Sequence, residues 1–374
     1  MNGEKINNST IKPRILVAPL DWGLGHATRC IPIIQTLLKH NADVLLAATG
    51  GVKFLLEKEF PQLKILHLEG YQITYTRRKK FFLPKLATQL PKLFFAIRNE
   101  KKWLKKILKE EKINAVISDN RPGLYDAYIP CVYITHQLQI KTGSKITDTL
   151  IRNFHYSFIN RFQECWIPDN QSGQSLAGKL SHPVSFPAIP FKYLGPLSRF
   201  EKNQLPVAYD FLLLVSGPEP QRTILEEKLL QVFEQGTYSF VLVRGLPLEK
   251  KTLVLQSTRS KVFNHLSARE LNEIILQSNI VVARAGYSTI MDLAKLEKKA
   301  VLIATPGQTE QEYLAEFLND KNLFASISQE DISLHTIETA YKKTTEMIPD
   351  SYAMMHEEVI IEWLAKLRHR ASAM

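Results

Sequence analysis

His26 closes the stretch Pro19-Leu20-Asp21-Trp22-Gly23-Leu24-Gly25-His26. An imidazole changes charge near neutral pH and is a natural general base. The two glycines can take backbone angles closed to other residues and let a ligand approach the main chain. The pattern lacks the third glycine of the dinucleotide fingerprint, and a tight turn carrying a structural histidine fits it equally well. A second stretch is denser: Arg284-Ala285-Gly286-Tyr287-Ser288-Thr289, with Asp292 three residues further on. Gly286 permits a turn, and Ser288 and Thr289 can cap or line a first helical turn, where free N–H groups suit phosphate. Asp292, farther into that helix, could accept hydrogen bonds from ribose hydroxyls. A third stretch, Thr305-Pro306-Gly307-Gln308-Thr309-Glu310-Gln311-Glu312-Tyr313, is rich in amides and carboxylates that suit sugar hydroxyls. Two polar, glycine-bearing loops so close in sequence weigh against a pair of ordinary helix caps.

These loops need elements to hold them. Each follows a short apolar run that reads as a buried strand and precedes a stretch of helical spacing. Strands are expected at Ile15–Ala18, Asp43–Ala47, Lys64–Leu68, Ala115–Ser118, Cys131–Thr135 and Glu164–Ile167. After prolines 183, 187, 190 and 196 the pattern restarts with Phe211–Val215, Ser239–Val243, Val262–Phe263, Ile280–Ala283 and Ala300–Ala304. Strands alternating with helices predict two doubly wound α/β domains with parallel sheets. Their boundary is expected within Ser198–Val207, and ligands belong at the carboxyl ends of the strands. Asp119-Asn120 sits at one such end, where it could bind an acceptor hydroxyl, hold His26 in one tautomer, or simply form an Asx turn before Pro122. His155, His182 and His335 show no partners in the pattern and read as surface residues.

With 374 residues, 45% of them apolar, the chain is long enough for two cores. No apolar run reaches the length of a membrane span, and the polar N-terminus reads as a frayed tail rather than a leader. Three cysteines without metal-type spacing fit a reducing cytoplasm. The net charge is +11, and residues 77–112 alone carry 13 Lys/Arg against 3 Asp/Glu. The protein therefore has one basic region, in which Phe81, Phe82, Phe94, Phe95 and Trp103 interleave with the cations. It reads as an amphipathic surface for anionic lipid headgroups, peripheral on the inner face of a membrane. The competing readings are a core-packed helix with a solvated basic face, and nucleic-acid binding. The nucleotide-type loops argue against the latter.

At these loops a resemblance emerges. Arg284–Asp292 resembles the R-S/A-G-A-x-T-x-x-E motif of MurG-type glycosyltransferases of family 28, and Gln311-Glu312-Tyr313 the Q-Q-Y that follows it. Gly25-His26 is similar to the family's N-terminal G-G-H, and Val215-Ser216-Gly217 through Arg222 to its G-G-S-x-G-A-R loop. His136-Gln137 weakly resembles its H-E-Q-N. The order fits from about Ile15 to Ala315. The resemblance implies a GT-B fold: two Rossmann-like domains facing across a cleft, with the last helix packed back on the N-terminal domain. Residues 1–200 with 351–374 would bind the acceptor, and 205–348 a nucleotide sugar, usually UDP-linked. It implies His26 as the catalytic base. It assigns donor contacts to Gly25, Ser216, Gly217, Arg222, His265, Leu266, Arg284, Gly286, Ser288, Thr289, Asp292, Gln308, Gln311 and Glu312. Asp119, Asn120 and His136 are taken as the acceptor side. No metal is expected, because helix starts and basic side chains neutralise the leaving diphosphate, and the nucleotide sugar is the only co-substrate.

Asp292 stands where the family has Glu, Glu312 where it has Gln, and Pro220 where it has Gly. The sugar and acceptor are therefore not carried over. The leading expectation is inverting transfer of a hexose or N-acetylglucosamine to a membrane-associated or otherwise hydrophobic acceptor. A nucleotide-sugar 2-epimerase of the same fold is the second, with Glu312 and Asp119 as the added acids. A non-catalytic lipid or nucleic-acid binder is the third.

Overall fold

The computed structural model describes residues 12–71, 88–141, 145–255, 258–345 and 355–372. Two parallel sheets organise them. The first contains β1 (Arg14–Pro19), β2 (Asp43–Ala48), β3 (Ile65–His67), β4 (Ala115–Asp119), β5 (Cys131–Ile134), β6 (Glu164–Ile167) and β7 (Phe191–Tyr193). Its order is β3-β2-β1-β4-β5-β6-β7. The second contains β8 (Tyr209–Leu214), β9 (Phe240–Val243), β10 (Lys261–Phe263), β11 (Ser278–Arg284), β12 (Ala300–Ile303) and β13 (Ala325–Ile327), in the order β10-β9-β8-β11-β12-β13. The central strands are buried on both faces, which is why they read as near-continuous apolar runs rather than alternating ones. Helices cover both faces: α1 (Gly25–Lys39), α2 (Gly50–Glu59), α3 (Leu90–Glu111) and α4 (Lys145–Ile159) on the first sheet. On the second lie α5 (Gln221–Phe233), α6 (Ala268–Gln277), α7 (Tyr287–Lys295), α8 (Thr309–Asp320) and α9 (Leu334–Lys343).

The strand order reverses between β1 and β4 in one sheet and between β8 and β11 in the other. The loops leaving those strands part to opposite faces and open a crevice at the carboxyl edge. Register places Pro19 opposite Asp119, and Leu214 opposite Ala283. The Gly23–His26 loop is thereby set beside Asp119, and Ser216-Gly217 beside Gly286.

Strands β7 and β13 were not expected. Each is three residues long, too short to carry a pattern, and each exists because a neighbouring edge accepts it. The last helix, α10 (His356–Ser372), lies on the N-terminal domain. Val359, Ile360, Trp363, Leu364 and Leu367 join the core that contains Ile31 and Leu37 of α1. Trp363 meets Trp166 edge-on at 5.4 Å, and Glu357 takes Lys39 at 2.5 Å.

Residues 77–87 of the basic region lie outside the described residues. Within α3, Ile97, Leu104 and Ile107 are buried, so one stripe of this helix is core. Lys92, Lys102, Lys105, Lys106 and Lys109 are exposed. Phe94 and Phe95 also remain exposed, and Phe94 contacts Phe154 of α4 at 5.6 Å. Two histidines expected at the surface are not fully there. His155 packs edge-on against Tyr133, and burial pushes its pKa down to about 4. His182 stacks on Tyr193 at 4.9 Å and bonds Ser181.

Candidate active site

The N-terminal half of the site is a dyad. His26 enters α1 one residue after its start, and its Nδ1 lies 3.1 Å from Oδ2 of Asp119 at the end of β4. Asp119 is fully buried. The second partner of that carboxylate was not foreseen. Arg29, one turn along α1 and 2% exposed, donates from Nε to Oδ2 at 2.9 Å and from Nη2 to Oδ1. Burial alone would raise the Asp119 pKa, but Arg29 and then His26 outweigh it and hold the carboxyl far below its ordinary range. His26 is shifted the other way. Burial and Arg29 push its pKa down, against the pull of Asp119. Nδ1 also lies 2.8 Å from Nη2 of Arg29, and Nε2 is the basic nitrogen when Nδ1–H donates to the carboxylate. Asp119 therefore does not face an acceptor, because its oxygens are occupied by Arg29 and His26. It positions the histidine.

The glycines have separate jobs. Gly23 sits at φ +91°, in the left-handed region that side chains rarely enter. Gly25 has no such angle. It is needed for approach, because a Cβ there would lie 2.8 Å from Oγ of Ser288 in the opposite domain. The Ser288 hydroxyl donates to the Gly25 carbonyl at 2.8 Å. The first turn of α7 thus meets the first turn of α1. Tyr287 beside it stacks on His136 at 4.2 Å and donates to the Pro168 carbonyl at 2.7 Å. His136 is therefore covered by the other domain and is not laid open to an acceptor.

On the second domain two glycines face open space: Gly286, the N-cap of α7, and Gly217, exposed at φ +107°. With Ser216 they flank the β8/β11 switch point, and Thr289 lies in the first turn of α7. Several of the expected contacts act through protein instead. Arg284 is 1% exposed and donates to the carbonyls of Ala304 and Gln221 and to Oε1 of Gln329. It brackets three loops from beneath. Arg222 is buried between Glu219 and Glu226. Asp292 accepts from Ser198 Oγ at 2.6 Å, and burial raises its pKa to about 6. Gln311 and Glu312 accept from the N–H groups of Thr305 and Gly307 and so shape the loop before α8, while Gln308 is its N-cap. The neighbouring residue, Glu310, is the one that crosses to the other domain, where its Oε1 lies 2.7 Å from His136 Nε2. His265 and buried Leu266 follow β10, and burial lowers the His265 pKa to about 4. Asn120 takes a left-handed φ of 54° just after Asp119.

Arg29 and Glu310 are the two residues that sequence reading missed. Arg29 stands four residues after Gly25, where the helical period returns it to the same face, and that spacing was the available signal. Glu310 offered none, since its partner is 174 residues away. Among the described residues, no cluster of three or more His, Cys, Asp or Glu is arranged to hold a metal ion, and no helix is long and apolar enough to cross a membrane.

Two parallel-sheet domains with switch-point loops facing each other, closed by a returning C-terminal helix, define the GT-B architecture. Solved structures share it. The glycotransferase of kitacinnamycin superposes with a TM-score of 0.62 at 15% identity, covering 97% of this chain and 98% of that one. SnogD from Streptomyces nogalater, a glycosyltransferase, gives 0.59 at 12%, covering 96% and 100%. Residues 221–370 match the model of the glycosyltransferase family 28 C-terminal domain. A curated protein of Methanosarcina acetivorans, described as an uncharacterized glycosyltransferase, is 23% identical over 333 residues, covering 82% of this chain and 84% of the relative. Residues 221–370 are thus similar to a family 28 C-terminal domain, and this likeness together with the curated relative supports glycosyltransferase activity, with a nucleotide-sugar donor and an acceptor.

Proposed function

We propose that this protein is an inverting glycosyltransferase that moves a sugar from a UDP-linked donor to a hydrophobic or lipid-linked acceptor, with His26 as the base. The His26–Asp119 contact at 3.1 Å, at the switch point that faces the family 28 domain, carries the reading. An acceptor hydroxyl is a weak nucleophile until its proton leaves as the new bond forms. Nε2 of His26 accepts that proton, and Asp119 stabilises the imidazolium through Nδ1. The diphosphate is taken by the start of α7 and the open loops at Gly217 and Gly286, where N–H groups and the helix dipole favour negative charge. The hydrophobic acceptor rests on the exposed Phe94 and Phe95 beside the lysines of α3 and on exposed Ile146, Leu150 and Phe154 of α4. The epimerase alternative loses its acids, because Asp119 is bound to Arg29 and Glu312 accepts from Gly307.

The test is a panel of labelled nucleotide sugars, with and without anionic lipid vesicles, run on the parent and on His26→Ala. Transfer should fall about 10²–10⁴-fold in the variant, with nucleotide affinity unchanged because the donor sits on the opposite domain. His26→Gln should not rescue it, since an amide cannot take the proton. Transfer within about threefold of the parent would remove His26 from the chemistry.

A further inference from the structure

Glu310 reaches the dyad through a continuous chain of side chains that crosses the domain interface. Its Oε1 is 2.7 Å from Nε2 of His136, whose Nδ1 is 3.0 Å from Nη1 of Arg29. Arg29 in turn holds Asp119 and places Nη2 2.8 Å from Nδ1 of His26. The direction of each bond follows from the donor inventory. A guanidinium only donates. The His136 Nδ1 must therefore be bare, which puts its proton on Nε2 and makes Glu310 the acceptor. At His26 the same guanidinium competes with Asp119 for Nδ1. If Arg29 donates there, Nε2 keeps the proton and cannot act as a base. If Nδ1–H donates to Asp119, Nε2 is free.

We infer that Glu310 is a positioning residue that couples domain closure to the proton state of His26, by holding His136 and Arg29 so that His26 donates to Asp119. The inference rests on the reading of His26 as the base. The charges that face these rings are few. His136 meets Arg29 and Glu310 and stacks on Tyr287, while His26 meets Arg29, Asp119 and His136. With Glu310 and Asp119 ionised and Arg29 protonated, the closed cluster carries one net negative charge and can take a proton at His26. When the domains separate, Glu310 leaves with the C-terminal domain and the remaining cluster is neutral. A proton on His26 then makes it positive in a buried site. Closure therefore brings the Glu310 carboxylate to the cluster, where its charge favours a proton on His26 against the burial that pushes the His26 pKa down.

The test reads the rings directly and does not require turnover. The full chain is labelled with ¹⁵N-histidine, and the imidazole signals are assigned with His26→Gln and His136→Gln. In the parent, His136 should show the Nε2–H tautomer and His26 the Nδ1–H tautomer. In both Glu310→Gln and Glu310→Ala the His26 titration midpoint should move to lower pH, by on the order of one unit for a charge removed at this range. Glu310→Gln keeps an acceptor for His136 and should preserve its tautomer, whereas Glu310→Ala should not. Glu310 is about one-third exposed, so neither variant threatens the fold. A His26 midpoint unchanged to within about 0.2 unit in both variants overturns the coupling. Failure of His26 as the base would appear separately, as unchanged transfer by His26→Ala.

Discussion

Replacing Asp119 with Asn tests the charge balance under the site, and the structure sets the size of the effect. The carboxylate is fully buried and Arg29 is 2% exposed. Asn presents one neutral oxygen where two charged ones received Arg29 and His26. The guanidinium is then left buried with only the distant Glu310 to balance it. Removing one member of a buried ion pair typically costs about 3–5 kcal/mol, or roughly 6–20 °C in Tm for a domain of this size. Replacing the pair together, as Arg29→Met with Asp119→Asn, should recover most of that loss, because both charges leave the interior. The measurement is urea unfolding followed by circular dichroism at pH 7. A pH series adds a second check. The folded Asp119 pKa is depressed, so its contribution is complete above the ordinary carboxylate pKa near ~4 and is lost as pH falls below it. The parent and Asp119→Asn curves should converge only in that acid range. A loss under about 1 kcal/mol at pH 7, a value typical of exposed pairs, would refute the view that Arg29 and Asp119 are a desolvated pair.

Asp292 should behave in the opposite sense: burial raises its folded pKa to about 6, so its protonated form is the stable one and stability declines as pH climbs from the ordinary carboxylate value through 6. Asp292→Asn, which keeps an acceptor for Ser198, should be more stable than the parent at pH 8 by up to roughly 3 kcal/mol, and a less stable variant at that pH would show that the nearby Arg199, whose charge pulls the Asp292 pKa down, compensates the carboxylate. Arg284→Ala should destabilise the second domain, because it removes the buried guanidinium that ties the carbonyls of Gln221 and Ala304 to Gln329. Gly286→Val should instead leave stability nearly unchanged and weaken UDP binding in calorimetry, since a Cβ at Gly286 meets only open space, the space proposed above for the diphosphate. Equal UDP affinity in that variant would move the phosphate site elsewhere.

The sequence by itself determined the two-domain parallel architecture, because strands buried on both faces must be apolar throughout and helices between them must be amphipathic. It also located the glycine loops, since Gly23 and Gly217 answer to local backbone angles. It could not show β7 or β13, whose existence depends on a neighbouring strand edge. Nor could it separate residues that face the cleft from those that brace it. Arg284, Arg222 and Asp292 match a motif, yet their polar atoms are engaged by Gln329 and Ser198 from distant parts of the chain and by Glu226 one turn along the same helix. Gly25 reads in the sequence as a glycine of special backbone angle or ligand approach and is instead a contact, because the reason for its missing side chain is Ser288, 263 residues along the chain. Arg29, His136 and Glu310 become one chain of hydrogen bonds only when two domains are brought face to face. Helical and strand periods are local properties of the chain. The partner of a buried charge is chosen by the tertiary structure, which removes water from both groups at once.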